Sequence, residues 1–264
     1  MVIRFGPGGL GPVKEAIANL EEFHKLGIRA CEIEFTYGIY INEKDAPLIA
    51  KKAKDLDIRL SIHAQYWINL NSEEKIKIEQ SKKRILDCCR IGHLLSAGNK
   101  VKIVFHPGFY GKKDKEESYC IIKEAILELR ELVEKNKWNV ELCPETTGKL
   151  NVFGSVEDIL RLVKDTKCSF TIDFAHLLAR SNGKMSYEEM FEKFKDFHNL
   201  HCHFSGIAYG EKGEKNHILT PDIEIEKLLN VLKNTKKEMV IINESPDPIG
   251  DSVKSIKVLG EISS

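Results

Sequence analysis

Thr171-Ile172-Asp173-Phe174-Ala175-His176 decides how the rest of this 264-residue sequence is read. Phe170 to Ile172 is an apolar lead-in with the character of a buried strand end. The chain then presents a carboxylate and an imidazole three positions apart. Seven other His, Asp or Glu residues lie just past apolar runs elsewhere: His63, His106, Glu145, His203, Glu214, His217 and Glu244. A scaffold that gathers strand ends around metal would account for all of them.

Working outward, one pattern recurs: a short apolar or β-branched run, a turn, then a charged segment with apolar residues at helical spacing. Strands are expected at 2–5, 30–35, 59–62, 101–105, 139–143, 168–172, 200–204 and 239–242. The intervening helices are expected over 13–26, 43–56, 72–96, 116–135, 155–163, 187–194, 223–232 and 252–261, with Ser72 as the N-cap of the third. Eight such units without a Ser/Gly linker predict a single-domain α/β chain closed as a (β/α)₈ TIM barrel. A doubly wound open sheet uses the same alternation and is the competing architecture. The Lys/Glu-rich helical segments read as solvated outer faces.

Composition agrees with this. At 42% hydrophobic the chain can bury a full core, and barrels of this kind run to about 250 residues. The 40 basic and 40 acidic residues cancel, which argues against holding polyanions by bulk charge, although a local phosphate-binding surface would be masked in the sum. The seven cysteines show no paired spacing and read as small buried hydrophobes in a reducing compartment. No apolar run approaches the roughly 20 residues of a membrane span, and Met1-Val-Ile-Arg-Phe5 does not resemble a signal peptide. A cytoplasmic monomer with no membrane association is expected.

TIM barrels place their chemistry at the carboxyl ends of the strands. His63, His106, Glu145, Asp173, His203 and Glu244 fall at the ends of strands three to eight, His176 in the loop after strand six, and Glu214 and His217 in the loop after strand seven. Buried carboxylates are costly unless paired or metal-bound. Zinc or manganese suits this mixture of imidazoles and acids. His201 shares an alternating face with His203; His203 lies nearer the strand end and is the expected ligand, with His201 lining the barrel.

These residues sit in six short motifs: Ser61-Ile-His63-Ala-Gln-Tyr66-Trp-Ile-Asn69-Leu, Phe105-His106-Pro-Gly108, Pro144-Glu145-Thr-Thr-Gly148, Ile172-Asp173-Phe-Ala-His176, His201-Cys-His203-Phe-Ser and Asn243-Glu244-Ser-Pro246. Taken in order over most of the chain, they resemble the endonuclease IV family of apurinic/apyrimidinic endonucleases, within the xylose-isomerase-like barrels. The resemblance implies two or three zinc ions, with manganese as the alternative. His63, His106 and Glu145 would hold the first, Glu145, Asp173, His203 and Glu244 the second, and His176 and His217 part of the third. It also implies hydrolysis of damaged double-stranded DNA on the 5′ side of abasic sites, with Glu145 orienting or deprotonating the nucleophile. Tyr66 and Trp67 would enter the duplex beside the lesion, with Tyr37 as a further DNA contact.

Two departures stand out. Gly213-Glu214-Lys215-Asn216-His217 carries Lys215 where the family's Asp-x-His pair usually has its acid, leaving Glu214 as a substitute or the third site empty. The loop after strand two, Phe35-Thr-Tyr37-Gly38-Ile-Tyr40, lacks the usual Arg/Gln recognition residues, and Phe5-Gly6-Pro7-Gly8 lacks the usual His. A sugar isomerase or epimerase with one or two metals, and a non-catalytic binder of damaged DNA, are the competing functions.

Overall fold

The computed structural model describes residues 2–233, 235 and 237–262. In chain order the strands are β1 (Val2–Pro7), β2 (Ala30–Glu34), β3 (Arg59–His63), β4 (Val101–Phe105), β5 (Val140–Pro144), β6 (Ile172–Asp173), β7 (Asn199–Phe204), β8 (Gly206–Gly210), β9 (Gly213–Ile218) and β10 (Glu238–Asn243). The helices are α1 (Ala16–Lys25), α2 (Ala46–Asp55), α3 (Lys75–Leu94), α4 (Lys115–Lys135), α5 (Val156–Thr166), α6 (Phe174–Arg180), α7 (Tyr187–Glu192), α8 (Asp222–Leu232) and α9 (Pro248–Ile262).

Two parallel four-stranded ladders, β1-β10-β7-β6 and β2-β3-β4-β5, make up the wall. Backbone hydrogen bonds close both seams. Glu32 O accepts from Gly9 N at 2.8 Å and Phe5 O from Arg29 N at 3.0 Å; Thr171 O accepts from Thr146 N and Pro144 O from Thr171 N, both at 3.1 Å. The result is the closed TIM barrel, and the open doubly wound sheet is ruled out.

The apolar face of each strand points outward to the helices. Ile33, Ile62, Ile103 and Leu142 lie in register across β2 to β5, and Ile241, Cys202 and Ile172 across β10, β7 and β6. All are buried in the layer between wall and helices. At Gly92 of α3 an added Cβ would lie 2.8 Å from Ile103 Cδ1, so helix and strand meet at glycine distance. The alternate face lines the lumen and mixes polar groups with Val104, Cys143, Val240 and Ile242. Glu32, Ser61, Lys102 and Glu141 share one register row, and Val240 joins Arg4 to His201 in another. TIM barrels ordinarily fill this space with Val, Ile and Leu; here Glu32 bridges the lumen, accepting from Ser61 Oγ at 2.6 Å and lying 2.8 Å from His201 Nε2.

Several local expectations are corrected. Ser72 does not cap α3; its Oγ accepts from Glu74 N, and the helix starts at Lys75. Strand six is reduced to Ile172–Asp173 because Asp173 is already the N-cap of α6, so His176 sits on a helix, not in a loop. Glu214 and His217 lie on β9 of an antiparallel hairpin, not in a loop. The last helix begins at Pro248, not Ser252. Cys120 is exposed, and the other six cysteines are buried. No described helix is long and apolar enough to cross a membrane.

The β1–β2 seam depends on Gly6, where a Cβ would lie 1.7 Å from Ala30 O, a backbone atom that cannot swing aside. Gly6→Ala is expected to cost roughly 3 kcal/mol or more. Gly260→Ala in α9 meets nothing within 4 Å and should be neutral or stabilising by about 0.5–1 kcal/mol. Thermal melts of the two variants with equal midpoints would contradict this account of the seam.

Candidate metal centre

The carboxyl ends of the strands bring the expected residues together. Glu145, directly after β5 and fully buried, is the hub. Its Oε2 lies 3.3 Å from His63 Nε2 and 3.1 Å from His106 Nε2; its Oε1 lies 3.2 Å from His176 Nδ1 and 3.3 Å from His203 Nδ1. His203 Nδ1 is also 3.2 Å from Glu244 Oε1. Three groups able to hold a metal ion follow: His63–His106–Glu145, Glu145–Asp173–His203–Glu244, and Asp173–His176–His217. Glu145 and Asp173 each belong to two of them, so the groups form one continuous run.

Local structure explains the positions. Asp173 ends β6 and caps α6: its Oδ1 accepts from His176 N at 2.8 Å, which leaves Oδ2 free for the centre. Asp-x-x-His is therefore N-cap and third residue of one helix, both at the barrel mouth. Backbone carbonyls fix two rings: His63 Nδ1 lies 2.9 Å from Ala64 O, and His176 Nδ1 2.9 Å from Thr146 O. With Nδ1–H donating there, Nε2 is the nitrogen left to take a proton or a cation. On the hairpin, Ala208 pairs with Asn216 but Tyr209 with Glu214, so Lys215 is an unpaired bulge residue. The extra residue changes the strand's alternation, and Glu214 and His217 both reach His176. Glu214 Oε2 is 3.5 Å from His176 Nε2, and the His217 ring centroid is 5.4 Å from that of His176. Exposed Lys215 instead lies beside Gly210 across the hairpin.

Sequence reasoning passes over Glu32 and Glu34. Glu32 Oε1 lies 2.9 Å from His203 Nε2, opposite the ring nitrogen that faces Glu145. Glu32, His201 and His203 form a further group able to hold a metal ion, as do Glu32, Glu34 and Glu244. The signal was two acids at alternate positions of an apolar strand, Ala30-Cys-Glu-Ile-Glu34, where only the lumen face can take them. At the rim Tyr37, Tyr66 and Trp67 are 82%, 63% and 57% exposed. Tyr37 sits 6.3 Å from the Tyr66 ring and 6.4 Å from Trp67. The aromatics are not packed under the loop.

The cluster fits cations on its own evidence. Of seven buried side-chain polar atoms without a hydrogen-bond partner among the described residues, Glu145 Oε1, Asp173 Oδ2 and His203 Nδ1 face the centre, while Glu32 Oε1 and His203 Nε2 face each other at 2.9 Å. Native interiors leave few such atoms unsatisfied, and a cation among them would satisfy several at once. Burial would raise the Glu145 carboxyl, but His203, His106 and His176 hold it well below the usual range. Burial would lower His63 and His176; the surrounding carboxylates, Glu145 among them, outweigh it and push both up to about 10. Glu244 rises to about 8 through burial, with repulsion from Glu145, Glu34 and Asp173 working against the attraction of His203.

Without metal, then, the folded cluster holds protons that the unfolded chain would release. The contribution of His63 and His176 is complete below pH 6.5 and is lost as pH rises toward 10; that of Glu244 is lost as pH rises from 4.5 through 8. Chelator-treated protein should lose thermal stability between pH 6.5 and 10. Metal-loaded protein should lose less, since cations replace the protons. Parallel melting curves for the two forms over that window would show that the cluster does not exchange protons for cations.

The chain is 34% identical to an uncharacterized protein of Methanocaldococcus jannaschii, over 99% of its own length and 98% of the relative's. It is 30% identical to an apurinic-apyrimidinic endonuclease of Caenorhabditis elegans, over 50% of this chain and 34% of that protein. Among solved structures, SacUVDE superposes with a TM-score of 0.76 at 19% identity over 99% of both chains. A D-psicose 3-epimerase from Clostridium cellulolyticum H10 superposes with 0.66 at 14% identity over 98% of both. The family model described as xylose isomerase-like TIM barrel matches residues 20–262, and the chain belongs to that family.

Proposed function

We propose that this protein is a metal-dependent phosphodiesterase that cuts duplex DNA on the 5′ side of abasic sites and leaves a 3′-hydroxyl. The observation that carries this reading is the sharing of Glu145 and Asp173, which strings three ligand groups into one run. A single cation polarising a sugar carbonyl needs only the middle group and would leave His63, His106, His176 and His217 without a task. The half-length match to an apurinic-apyrimidinic endonuclease supports the same reading.

In this reading His63 and His106 with Glu145, then Glu145, Asp173, His203 and Glu244, then Asp173, His176 and His217 with Glu214 at the edge, hold two or three zinc ions, or manganese. Such cations neutralise phosphate charge and bring the pKa of water toward neutrality. Glu145, ionised because imidazoles surround it, accepts a hydrogen bond from the attacking water and orients it toward phosphorus. Glu32 holds the His203 ring through Nε2 and leaves Nδ1 for the centre. Tyr66 and Trp67, with Tyr37 beside them, wedge into the duplex beside the lesion, where a missing base lowers the cost of unstacking.

A second reading, a sugar isomerase or epimerase, is favoured by one fact: Glu145, Asp173, His203 and Glu244 come from four strand ends and complete a one-cation site by themselves. Metal analysis run beside cleavage of an abasic-site duplex separates the two. The nuclease requires two or three ions per chain and chelator-sensitive cutting; about one ion per chain and an intact duplex would select the sugar enzyme.

Glu145→Gln should lower cleavage by roughly 10²–10⁴-fold, and parental turnover in that variant would remove Glu145 from the chemistry. Replacing Tyr66 and Trp67 together by Ala should weaken binding of abasic duplex by about tenfold, and that of undamaged duplex less. Equal losses on both duplexes, measured by fluorescence anisotropy, would rule out the wedge.

A further inference from the structure

The barrel has a second opening at the amino-terminal ends of its strands, away from the metal centre. A cavity of about 510 Å³ there reaches into the lumen as far as Ser61 and His201. Five cationic side chains line it: Arg4 of β1, Lys54 of α2, Arg59 at the start of β3, Lys100 just before β4, and Lys102 within β4. The lining carboxylates are Glu141 and Glu238, and Asp57 holds Arg4 from just outside the lining, which leaves an excess of two positive charges.

The pairing within this cavity is incomplete. Glu141 takes Lys102 at 2.6 Å and lies 3.6 Å from Lys100, and Arg4 is held by Asp57 at 2.9 Å. Lys54 and Arg59 lie outside the ion pairs of 4 Å or less among the described residues, with Asp55 and Asp57 as their longer-range acidic neighbours. Ser96, Asn99 and Ser169 add neutral hydrogen-bonding groups. Another part of the wall is apolar, formed by Ala53, Ile58, Leu95, Leu200 and Met239. The lower face of a TIM barrel ordinarily serves stability, over a lumen packed with branched aliphatic side chains. Here it is hollow, cationic on one side and greasy on the other.

We propose that this cavity binds a small organic phosphate. Arg59, Lys54 and Lys100 take the phosphate, and the organic body lies against Ile58, Leu95 and Met239. Two cations outside any ion pair, Lys54 and Arg59, suit a dianion, and a guanidinium matches two phosphate oxygens at once. The volume lies within the range of small-molecule pockets; it admits a mononucleotide-sized ligand and excludes a duplex. This ligand is therefore distinct from any DNA handled at the metal mouth, and the proposal stands whatever reaction the metal centre performs.

Isothermal titration of the metal-loaded protein with AMP, ribose 5-phosphate and adenosine, at matched ionic strength, tests it. AMP and ribose 5-phosphate should bind saturably, adenosine at least about tenfold more weakly. AMP binding tighter than ribose 5-phosphate would assign the apolar wall to a base; equal binding would assign the site to the phosphate and sugar. Replacing Arg59 by Gln together with Lys54 by Ala should weaken AMP roughly tenfold or more, and Lys54→Ala alone, on an exposed helix position, several-fold. His106→Ala, at the other mouth, should leave AMP affinity unchanged. No saturation below about 10 mM, adenosine binding as well as AMP, or loss in His106→Ala with none in the cavity variants would overturn the proposal.

Discussion

A buried carboxylate surrounded by imidazoles governs the arrangement of this protein. Glu145 has no solvent to stabilise its charge, and four histidines from four different segments approach its two oxygens. Such a group is tolerated only with compensation. In the folded chain that compensation comes from protons on the rings or from cations between them, and the orphaned atoms around it favour cations. Closing the barrel brings those segments to one point, so the scaffold and the electrostatics depend on each other.

The same logic runs down the lumen. Strand alternation sends the apolar row to the helices and leaves the inner row free to be polar. Glu32 uses that freedom to join β7 to β2 and β3 through His201, His203 and Ser61. The large apolar layer lies between strands and helices, and the lumen carries charged groups among a few apolar ones. This is an unusual division for a barrel, whose lumen is ordinarily a packed core.

How much of this is legible in the sequence depends on where each residue sits. The barrel follows from eight recurring strand-helix units, and the strand-end His and acid residues follow from closure, because a closed barrel has one carboxyl face. His63, His106, Glu145, Asp173, His203 and Glu244 meet for that reason. Glu32 and Glu34 are harder to find because they lie within an apolar strand, where an acid on one face looks like the outward half of an alternation. Helix α6 is hidden because it is only seven residues long and starts on the last strand residue. The β8–β9 hairpin is hidden because Gly206–Ile218 carries little apolar alternation and half of β9 is exposed.

The bulge at Lys215 changes how this arm of the protein should be compared with its relatives. Which side chains face inward is set there by the count of residues between the two turns, not by the identity of the one that is left over. Gaining or losing a single position would swap the inner and outer sets, while exchanging the leftover residue for almost any other would not. Parity along the ribbon, one place before the leftover lysine, is what turns Glu214 toward His176.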